Sequence, residues 1–203
     1  MIDNISLNII KETEKSICRI KYTSSNIQII GSGFFVKDNS FYYLITCYHI
    51  LSEDKRNIEL MTWKKNIELN LNNRYIKYLP NKIDITLVQI KKNEIKDIEF
   101  LTYDKNYLYN GYEEYLGKRV YSLRYPYGTL TYNAGEVKRI DRFDFYHTIC
   151  TSPGSCGMPI LLSNKQVIGI HKAKDIKENF GIGIFIGEIF KEIDLKEIEK
   201  YDE

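Results

Sequence analysis

A potential nucleophile lies in the segment 151–159, Thr-Ser-Pro-Gly-Ser-Cys-Gly-Met-Pro, where a cysteine sits in a glycine-bounded turn before an apolar run. Such a turn exposes its side chain. It also aims the backbone N–H groups of Gly154 and Cys156 at one point, as the stabilisation of a tetrahedral oxyanion requires. Taken alone, a Gly-x-Cys-Gly turn is more often an ordinary loop with a half-buried thiol. It therefore indicates catalysis only if partners exist elsewhere in the chain.

Two other segments offer a base and an acid. His49 lies at the end of the run FYYLITCYHI, where a histidine can act as a base or simply cap a strand. Asp84 opens the apolar run DITLVQI. It is either a turn residue or the acceptor that holds the His49 imidazole in the useful tautomer. The order of histidine, acid and cysteine along the chain is a combined indication, which none of the three segments gives alone.

Short β-branched and aromatic runs, separated by Gly, Pro and Asn, predict strands around all three residues. A first set extends from about residue 17 to 90 and carries His49 and Asp84. A polar, Tyr-rich stretch follows from about 91 to 115, and a second set of strands surrounds Cys156. Two similar sets of strands, joined by a polar connection, predict two small barrels.

A C-terminal helix is predicted after Gly187 by the run EIFKEIDLKEIEKY. One side of this helix would carry Ile189, Phe190, Ile193 and Tyr201, with Ile198 at its margin and Leu195 off it. The apolar side predicts that the helix packs on the second barrel.

Composition restricts the possible functions. With 29 Lys and Arg against 27 Asp and Glu, the net charge of +2 gives no broad basic field that would attract nucleic acid or an anionic membrane. The N-terminus lacks the pattern of a signal peptide, and no run approaches the roughly 18 apolar residues of a membrane span. We expect a soluble, cytoplasmic protein that recognises its partner locally. No pattern indicates its oligomeric state.

The four cysteines show neither a paired metal-ligand spacing nor the density of a disulfide scaffold. They are Cys18, Cys47, Cys150 and Cys156. An even number would permit two disulfides in a secreted protein, but without a signal peptide we expect reduced thiols and no bound metal.

The sequence resembles the chymotrypsin-like peptidases over about residues 17 to 187, with the segments GSGFFV, LITCYHI, DITLVQI, YSLRYPYG, GEVKRI, GSCGMPIL and QVIGIHKA in this order. In that family the nucleophile turn reads Gly-x-Ser-Gly-x-Pro, and cysteine replaces the serine in picornavirus-like proteases. The register of Gly157 and Pro159 then matches the nucleophile to Cys156 and not to Ser155.

The resemblance implies an all-β fold of two six-stranded antiparallel β-barrels with a C-terminal helix. We place an N-terminal barrel over residues 1–100, an interbarrel connection over 101–115, and a C-terminal barrel with the helix over 116–203. Ser155 stands where zymogen-activated digestive enzymes have an Asp that binds a new N-terminus. Activation by N-terminal cleavage is therefore not expected.

The resemblance also implies an endopeptidase that cleaves a protein or peptide through an acyl-enzyme, without cofactor or metal. Cys156 would attack the scissile carbonyl as a thiolate, His49 would take and return the proton, and Asp84 would orient the imidazole. The N–H groups of Gly154 and Cys156 would form the oxyanion hole. Because thiols ionise more readily than hydroxyls, Asp84 matters less here than in a serine enzyme.

The specificity pocket follows from the same resemblance. Thr151 and His171 stand at offsets from Cys156 similar to those in staphylococcal glutamyl endopeptidases and picornaviral cysteine proteases, where such residues donate to a Glu or Gln side chain. A protonated His171 favours the carboxylate and a neutral one the amide; we favour Glu. Lys172 and Ala173 continue the pocket wall. Lys172 either favours acidic substrate segments or is simply solvated, and Ala173 replaces a glycine that usually helps the substrate strand to pair.

Two other functions fit parts of this pattern. A catalytically silent relative would keep the groove and bind a peptide without cleaving it, although all three catalytic residue types are present. A redox or structural β protein with incidental cysteines predicts no contact between His49 and Cys156. Only the peptidase predicts one hyperreactive thiol whose reactivity changes when His49 is replaced.

Overall fold

A computed structural model describes residues 5–24, 27–53, 56–91, 94–193, 197–198 and 200–201. Within these residues most regular structure is β-strand, arranged in two antiparallel sheets that divide the strands by chain order. The predicted all-β class and the chymotrypsin-like arrangement of two barrel-like sheets are confirmed.

The first sheet contains seven strands. In chain order they are β1 (Ile17–Ser24), β2 (Ile27–Asp38), β3 (Phe41–Cys47), β4 (Asn57–Met61), β5 (Asn66–Asn70), β6 (Ile76–Leu79) and β7 (Ile85–Ile90). Across the sheet their order is β5-β4-β1-β2-β3-β7-β6. All residues of β7 are buried, so the segment just before it is held firmly against the core.

The second sheet is a closed barrel. Its strands are β8 (Arg119–Arg124), β9 (Thr131–Asp141), β10 (Asp144–His147), β11 (Pro159–Leu161), β12 (Val167–Asp175) and β13 (Phe180–Phe185). They are paired around the barrel in the order β10-β13-β12-β11-β8-β9. Because the barrel is closed, the loops at its ends, including the one before β11, are free of strand pairing and can present side chains to a ligand.

The prediction of six strands per barrel holds for the second sheet only. The first sheet gains β5, and it is open because its outer strands β5 and β6 do not pair within the described residues. Only Leu69 of β5 is buried. The β5 sequence NIELN alternates like the NIELM of β4, but it is a five-residue edge strand with one buried side chain and was not recognised as a separate strand.

A helix that the sequence analysis did not predict, α1 (Leu7–Glu14), precedes the first strand. The Thr13 hydroxyl lies 3.2 Å from the Tyr121 hydroxyl. The Tyr125 hydroxyl donates to the Glu14 carboxylate at 3.0 Å. Because both tyrosines lie in or just after β8, these bonds tie the start of the first sheet to the second barrel.

The connection between β7 and β8 holds no strand in its described residues. It contains α2 (Tyr107–Asn110) and a 3-10 helix (Tyr112–Tyr115). Leu101 forms an isolated bridge to β2 and Tyr103 one to β12, so this segment contacts both sheets. The division of the chain stays a prediction: 1–100, 101–115 and 116–203.

The predicted C-terminal helix is interrupted: α3 covers Ile186–Phe190, residues 191–193 are not helical, and residues 197–198 are helical again. α3 contacts β12 and β13, as the predicted packing on the second barrel requires. Phe190 also stacks on Tyr103, with ring centroids 4.3 Å apart, and meets the Tyr43 ring edge-on at 6.0 Å. The helix therefore lies at the junction of the two sheets.

Beyond α3 the predicted helical faces hold only in part. Ile193 is half-buried, Ile198 is fully buried rather than marginal, and Tyr201 is exposed. Leu195 lies outside the described residues. Among the described helices, none has the length and apolar character needed to cross a membrane.

The four thiols occupy different environments, and all are free. Cys18 and Cys47 are fully buried, Cys150 is exposed, and Cys156 is half-buried. Burial raises the pKa of both Cys18 and Cys47 above the ordinary value of a thiol. Their thiolates are therefore scarce as well as inaccessible.

We expect a thiol reagent such as Ellman's reagent to label Cys150 and Cys156 in the folded protein, and Cys18 and Cys47 only after denaturation. Mass spectrometry of the labelled peptides identifies the sites. Purification without reductant, followed by denaturation, should give four reactive thiols. Two protected thiols in that sample, or fast labelling of Cys18 in the native protein, would contradict this placement.

Candidate active site

His49 and Asp84 are joined by two hydrogen bonds. His49 follows β3 in a turn, and its Nδ1 lies 2.7 Å from Asp84 Oδ2. The backbone N–H of His49 donates to Asp84 Oδ1 at 3.0 Å. One carboxylate thus fixes both the backbone and the ring of the histidine, and it holds the Nδ1 proton so that Nε2 faces away from the acid.

Asp84 reaches this position through an unusual backbone conformation. Its φ of 58° lies in the left-handed region, which Asp tolerates better than most residues. Its carbonyl accepts the Tyr48 N–H at 3.0 Å. Asp84 is therefore bonded through both backbone and side chain to the turn that carries His49.

The Cys156 side chain lies next to the His49 ring. The pKa of His49 is raised to about 10, first by the hydrogen bond to Asp84 and then by its interaction with the Cys156 side chain. The imidazole is 44% exposed, so it is accessible from solvent. At neutral pH a ring with this pKa is an imidazolium.

The turn that carries Cys156 requires two glycines. Gly154 and Gly157 have φ values of 86° and 91°, which residues other than glycine rarely adopt. The Ser155 N–H donates to Ser152 O at 3.0 Å, which closes the first bend. Within the described residues, the N–H groups of Gly154 and Cys156 have no protein acceptor, so they can receive an oxyanion.

Ser32 of β2 clamps this turn onto the first sheet. Its N–H donates to Cys156 O at 2.8 Å and its hydroxyl donates to Gly154 O at 2.7 Å. Its carbonyl accepts the Thr46 hydroxyl of β3 at 2.7 Å. A Cβ on Gly157 would lie 1.9 Å from that same carbonyl oxygen, so only glycine permits this approach. The clamp fixes Cys156 relative to the strand that leads to His49.

The carbonyl of His171 makes a second link between the sheets. It accepts the Gly157 N–H at 2.9 Å and the Cys47 S–H at 3.4 Å. In return the His171 N–H donates to Met158 O at 3.0 Å. β12, the nucleophile turn and the end of β3 therefore meet at one backbone group.

A metal ion is a possible alternative at this junction, because Cys47, His49 and Asp84 each offer an atom within 4.8 Å of the others. The Cys47 thiol suits an ion poorly, since burial raises its pKa well above the ordinary value and its S–H already has an acceptor. Metal binding requires a deprotonated thiol. The donor set therefore favours hydrogen bonding over a metal ion.

The His171 side chain is buried and paired with His147, whose Nε2 lies 3.1 Å from His171 Nδ1. Burial lowers the pKa of His171 to about 3 and that of His147 to about 4, so both rings are neutral at pH 7. His147 Nδ1 is buried without a partner. An unpaired acceptor is tolerated more often than an unpaired donor, so His147 donates from Nε2 and His171 carries its proton on Nε2.

Thr151, Lys172 and Ala173 flank the turn and His171. Thr151 is half-buried between Cys150 and Ser152. The side chain of Lys172 is only 11% exposed, and its amine binds the Asp144 carboxylate at 2.7 Å and the Lys82 carbonyl. This lysine is therefore neither solvated nor free to meet an acidic substrate. Ala173 lines a cleft of about 620 Å³ that also includes Asp84.

Four residues of this arrangement were missed by sequence reasoning: Ser32, Thr46, Arg124 and His147. Arg124 donates to the hydroxyls of Ser152 and Ser155 and to the Cys150 carbonyl. Each of the four is a polar residue within a strand, such as Arg124 in YSLRY. These polar residues are visible in the sequence, but a sequence does not show which polar groups are in contact in the folded chain.

The comparisons with known proteins agree with this architecture. A family model described as a trypsin-like peptidase domain matches residues 31–170. The active form of the Rv3671c protease from M. tuberculosis has a TM-score of 0.72 at 17% identity, with 95% of this chain and 87% of that chain covered. The serine endoprotease from Yersinia pestis has a TM-score of 0.70 at 16% identity, with 92% of this chain and 64% of that chain covered.

At these identities the structural matches show the fold alone. No curated protein matches the sequence. The family model, in contrast, covers more than half of the chain, including His49, Asp84 and Cys156. This chain belongs to the family of trypsin-like peptidase domains.

Proposed function

We propose that this chain is a cysteine endopeptidase in which Cys156, His49 and Asp84 form the catalytic triad, and that it cleaves after Glu or Gln. The observation that carries the proposal is the His49 ring, whose Nδ1 lies 2.7 Å from Asp84 Oδ2 and whose pKa is raised by both Asp84 and the neighbouring Cys156 side chain. A protein or peptide substrate follows from membership of a peptidase family.

The raised pKa of His49 supports a protonated His49 ring beside Cys156 as the starting pair. The Cys156 thiolate attacks the scissile carbonyl carbon, and the oxyanion is stabilised by the N–H groups of Gly154 and Cys156. His49 then donates its proton to the leaving amine as the C–N bond breaks. In the second half, neutral His49 takes a proton from water, which hydrolyses the thioester and restores the pair.

Ser155 is a poor alternative nucleophile. Ser155 is only 1% exposed. Its hydroxyl donates to Ser152 O at 2.6 Å and accepts bonds from the Ser152 N–H and from Arg124. A hydroxyl with all of its bonding capacity used, and no base beside it, cannot attack a substrate. These contacts support Cys156.

The edge of β12 offers a place for the substrate backbone. β12 pairs with β13 along Gly169 to Asp175, whereas its pairing with β11 ends at Ile170. Within the described residues, the edge at Lys172 and Ala173 has no strand opposite it. An extended peptide can pair there and place the side chain before its scissile bond near Thr151 and His171.

The neutral state of His171 restricts how the pocket recognises that side chain. With its proton on Nε2, His171 can donate one hydrogen bond to a carbonyl or carboxylate oxygen, and the Thr151 hydroxyl can donate a second. Neither residue carries charge, so these two donors accept Glu and Gln alike. They select against Leu, which would leave both donors unpaired.

Replacement of the proposed nucleophile tests the mechanism. We expect Cys156→Ala to lower kcat/KM by about 10⁴-fold or more on a peptide with an internal Glu or Gln. Cys156→Ser should keep a weak residual rate, because the geometry is similar but the hydroxyl is far harder to deprotonate. The measurement is cleavage of a fluorogenic peptide.

Cys18→Ala is the matched control, since this thiol is buried in the core of the first sheet. It should retain nearly the wild-type rate. Cleavage by Cys156→Ala at the rate of Cys18→Ala would overturn the assignment. Peptide binding with no cleavage by the wild type would instead identify a silent binding module.

The raised pKa of His49 predicts the pH dependence. Because the protonated ring is the active form, kcat/KM should stay high from neutral pH and fall as the pH rises through about 10. The interaction of protonated His49 with Asp84 also stabilises the fold. This stabilisation is fully present below the ordinary His pKa of 6.5 and is lost as the pH rises through the raised pKa of about 10. Asp84→Asn removes the largest cause of the shift, so the alkaline fall should move toward neutral pH. A pH profile that Asp84→Asn leaves unchanged would count against this role.

The pocket is tested by the residue before the scissile bond. Matched peptides with Gln, Glu, Leu or Arg at that position should be cleaved only when it is Gln or Glu. We expect His171→Ala to reduce the Gln-to-Leu ratio of kcat/KM by about tenfold to a hundredfold, because one donor is lost. A ratio within a variant does not depend on the fraction that is folded. An unchanged ratio, or a preference for Arg, would refute the pocket assignment.

A further inference from the structure

Arg124 is a buried cation beside the nucleophile turn. It lies at the end of β8 and is only 5% exposed. Its Nη1 donates to the Ser152 hydroxyl at 2.6 Å and to the Ser155 hydroxyl, and its Nη2 donates to the Cys150 carbonyl at 3.3 Å. All three acceptors are neutral, and a guanidinium does not lose its proton in a protein.

The charge of Arg124 has no counter-ion among the described residues. The contrast with Arg74 is direct: Arg74 is 7% exposed, but it donates to both oxygens of the Glu94 carboxylate, at 2.9 and 2.5 Å. Buried charges in proteins are normally paired. Burial lowers the pKa of Arg124, as expected for a cation held without a carboxylate.

This unneutralised charge borders the specificity pocket. Two of the three residues that it binds, Cys150 and Ser152, are the chain neighbours of Thr151. Its field also reaches His171, where it contributes to the lowered pKa, after burial and His147. Since His147 and His171 are neutral, the charges that act on the pocket are those of Arg124 and, with a smaller effect on His171, of His49.

We propose that Arg124 makes the pocket selective for Glu over Gln, the substrate carboxylate serving as the counter-ion that this buried guanidinium lacks. The inference rests on the pocket in the proposed function and specifies its substrate class. Thr151 and His171 donate to an oxygen that Glu and Gln share, so hydrogen bonds alone cannot separate the two. A charge several ångströms away in a partly desolvated pocket favours the carboxylate by about tenfold or more.

Binding to the full-length Cys156→Ala protein tests the proposal independently of catalysis. Calorimetry with two peptides that differ only in Glu or Gln at the position before the scissile bond gives a ratio of dissociation constants. We expect Glu to bind about tenfold more tightly or better. Equal binding, tighter binding of Gln, or binding of neither peptide overturns the proposal. Loss of cleavage in the wild type, with this binding preference intact, would refute the peptidase but not the selectivity.

Variants separate charge from structure. Arg124→Gln should abolish the preference for Glu, whereas Arg124→Lys should keep most of it, even though lysine cannot make the same three hydrogen bonds. Arg74→Gln is the matched control: it removes a buried arginine outside the pocket and should leave the ratio unchanged. A Glu-to-Gln ratio equal to wild type in Arg124→Gln would overturn the proposal.

A measurement on protein with Arg124 intact covers the case in which Arg124→Gln does not fold. The guanidinium stays charged across the accessible range, so the preference should be constant between about pH 6 and about pH 9. A preference carried by a proton on His171 would decline with rising pH over that range. Such a decline would assign the selectivity to the histidine and overturn the role of Arg124.

Discussion

The contact that joins the two sheets at Ser32 determines whether this molecule can have an active site. Three bonds of one residue reach the Cys156 carbonyl, the Gly154 carbonyl and the Thr46 hydroxyl. His49 and Asp84 come from the first sheet and Cys156 from the second, so their approach depends on this alignment. Gly157 permits it, because any side chain there would overlap the Ser32 carbonyl.

The electrostatics of the site divide into two regions with different purposes. Around His49 the hydrogen bonds favour a charged imidazole, because Asp84 accepts its proton on one side. Around His171 the histidine is neutral, because burial removes the water that would solvate an imidazolium. In the proposed function, two residues of the same type therefore serve opposite roles, His49 as a proton carrier and His171 as a fixed hydrogen-bond donor.

Sequence reasoning predicted the fold class and the segments that carry His49, Asp84 and Cys156, because each segment has a local signature. It missed β5, a five-residue edge strand with a single buried residue, and α1, whose packing depends on tyrosines more than a hundred residues away. Arg124 and His147 were missed for a related reason. Their importance comes from burial and from partners distant in the chain, and a sequence pattern reports neither.

One hydrophobic cluster runs through both sheets, and it has a consequence for how the molecule unfolds. It contains Phe34 and Leu44 of the first sheet together with Tyr121, Leu161 and Ile170 of the second. The closed barrel also has a smaller cluster of its own, which includes Phe145 and Met158. Because the larger cluster is shared, loss of the first sheet exposes apolar surface of the second, and we expect the two sheets to unfold together. Cooperativity is thus built into the same interface that assembles the candidate triad, and thermal disorder that begins in one sheet reaches the site through the core.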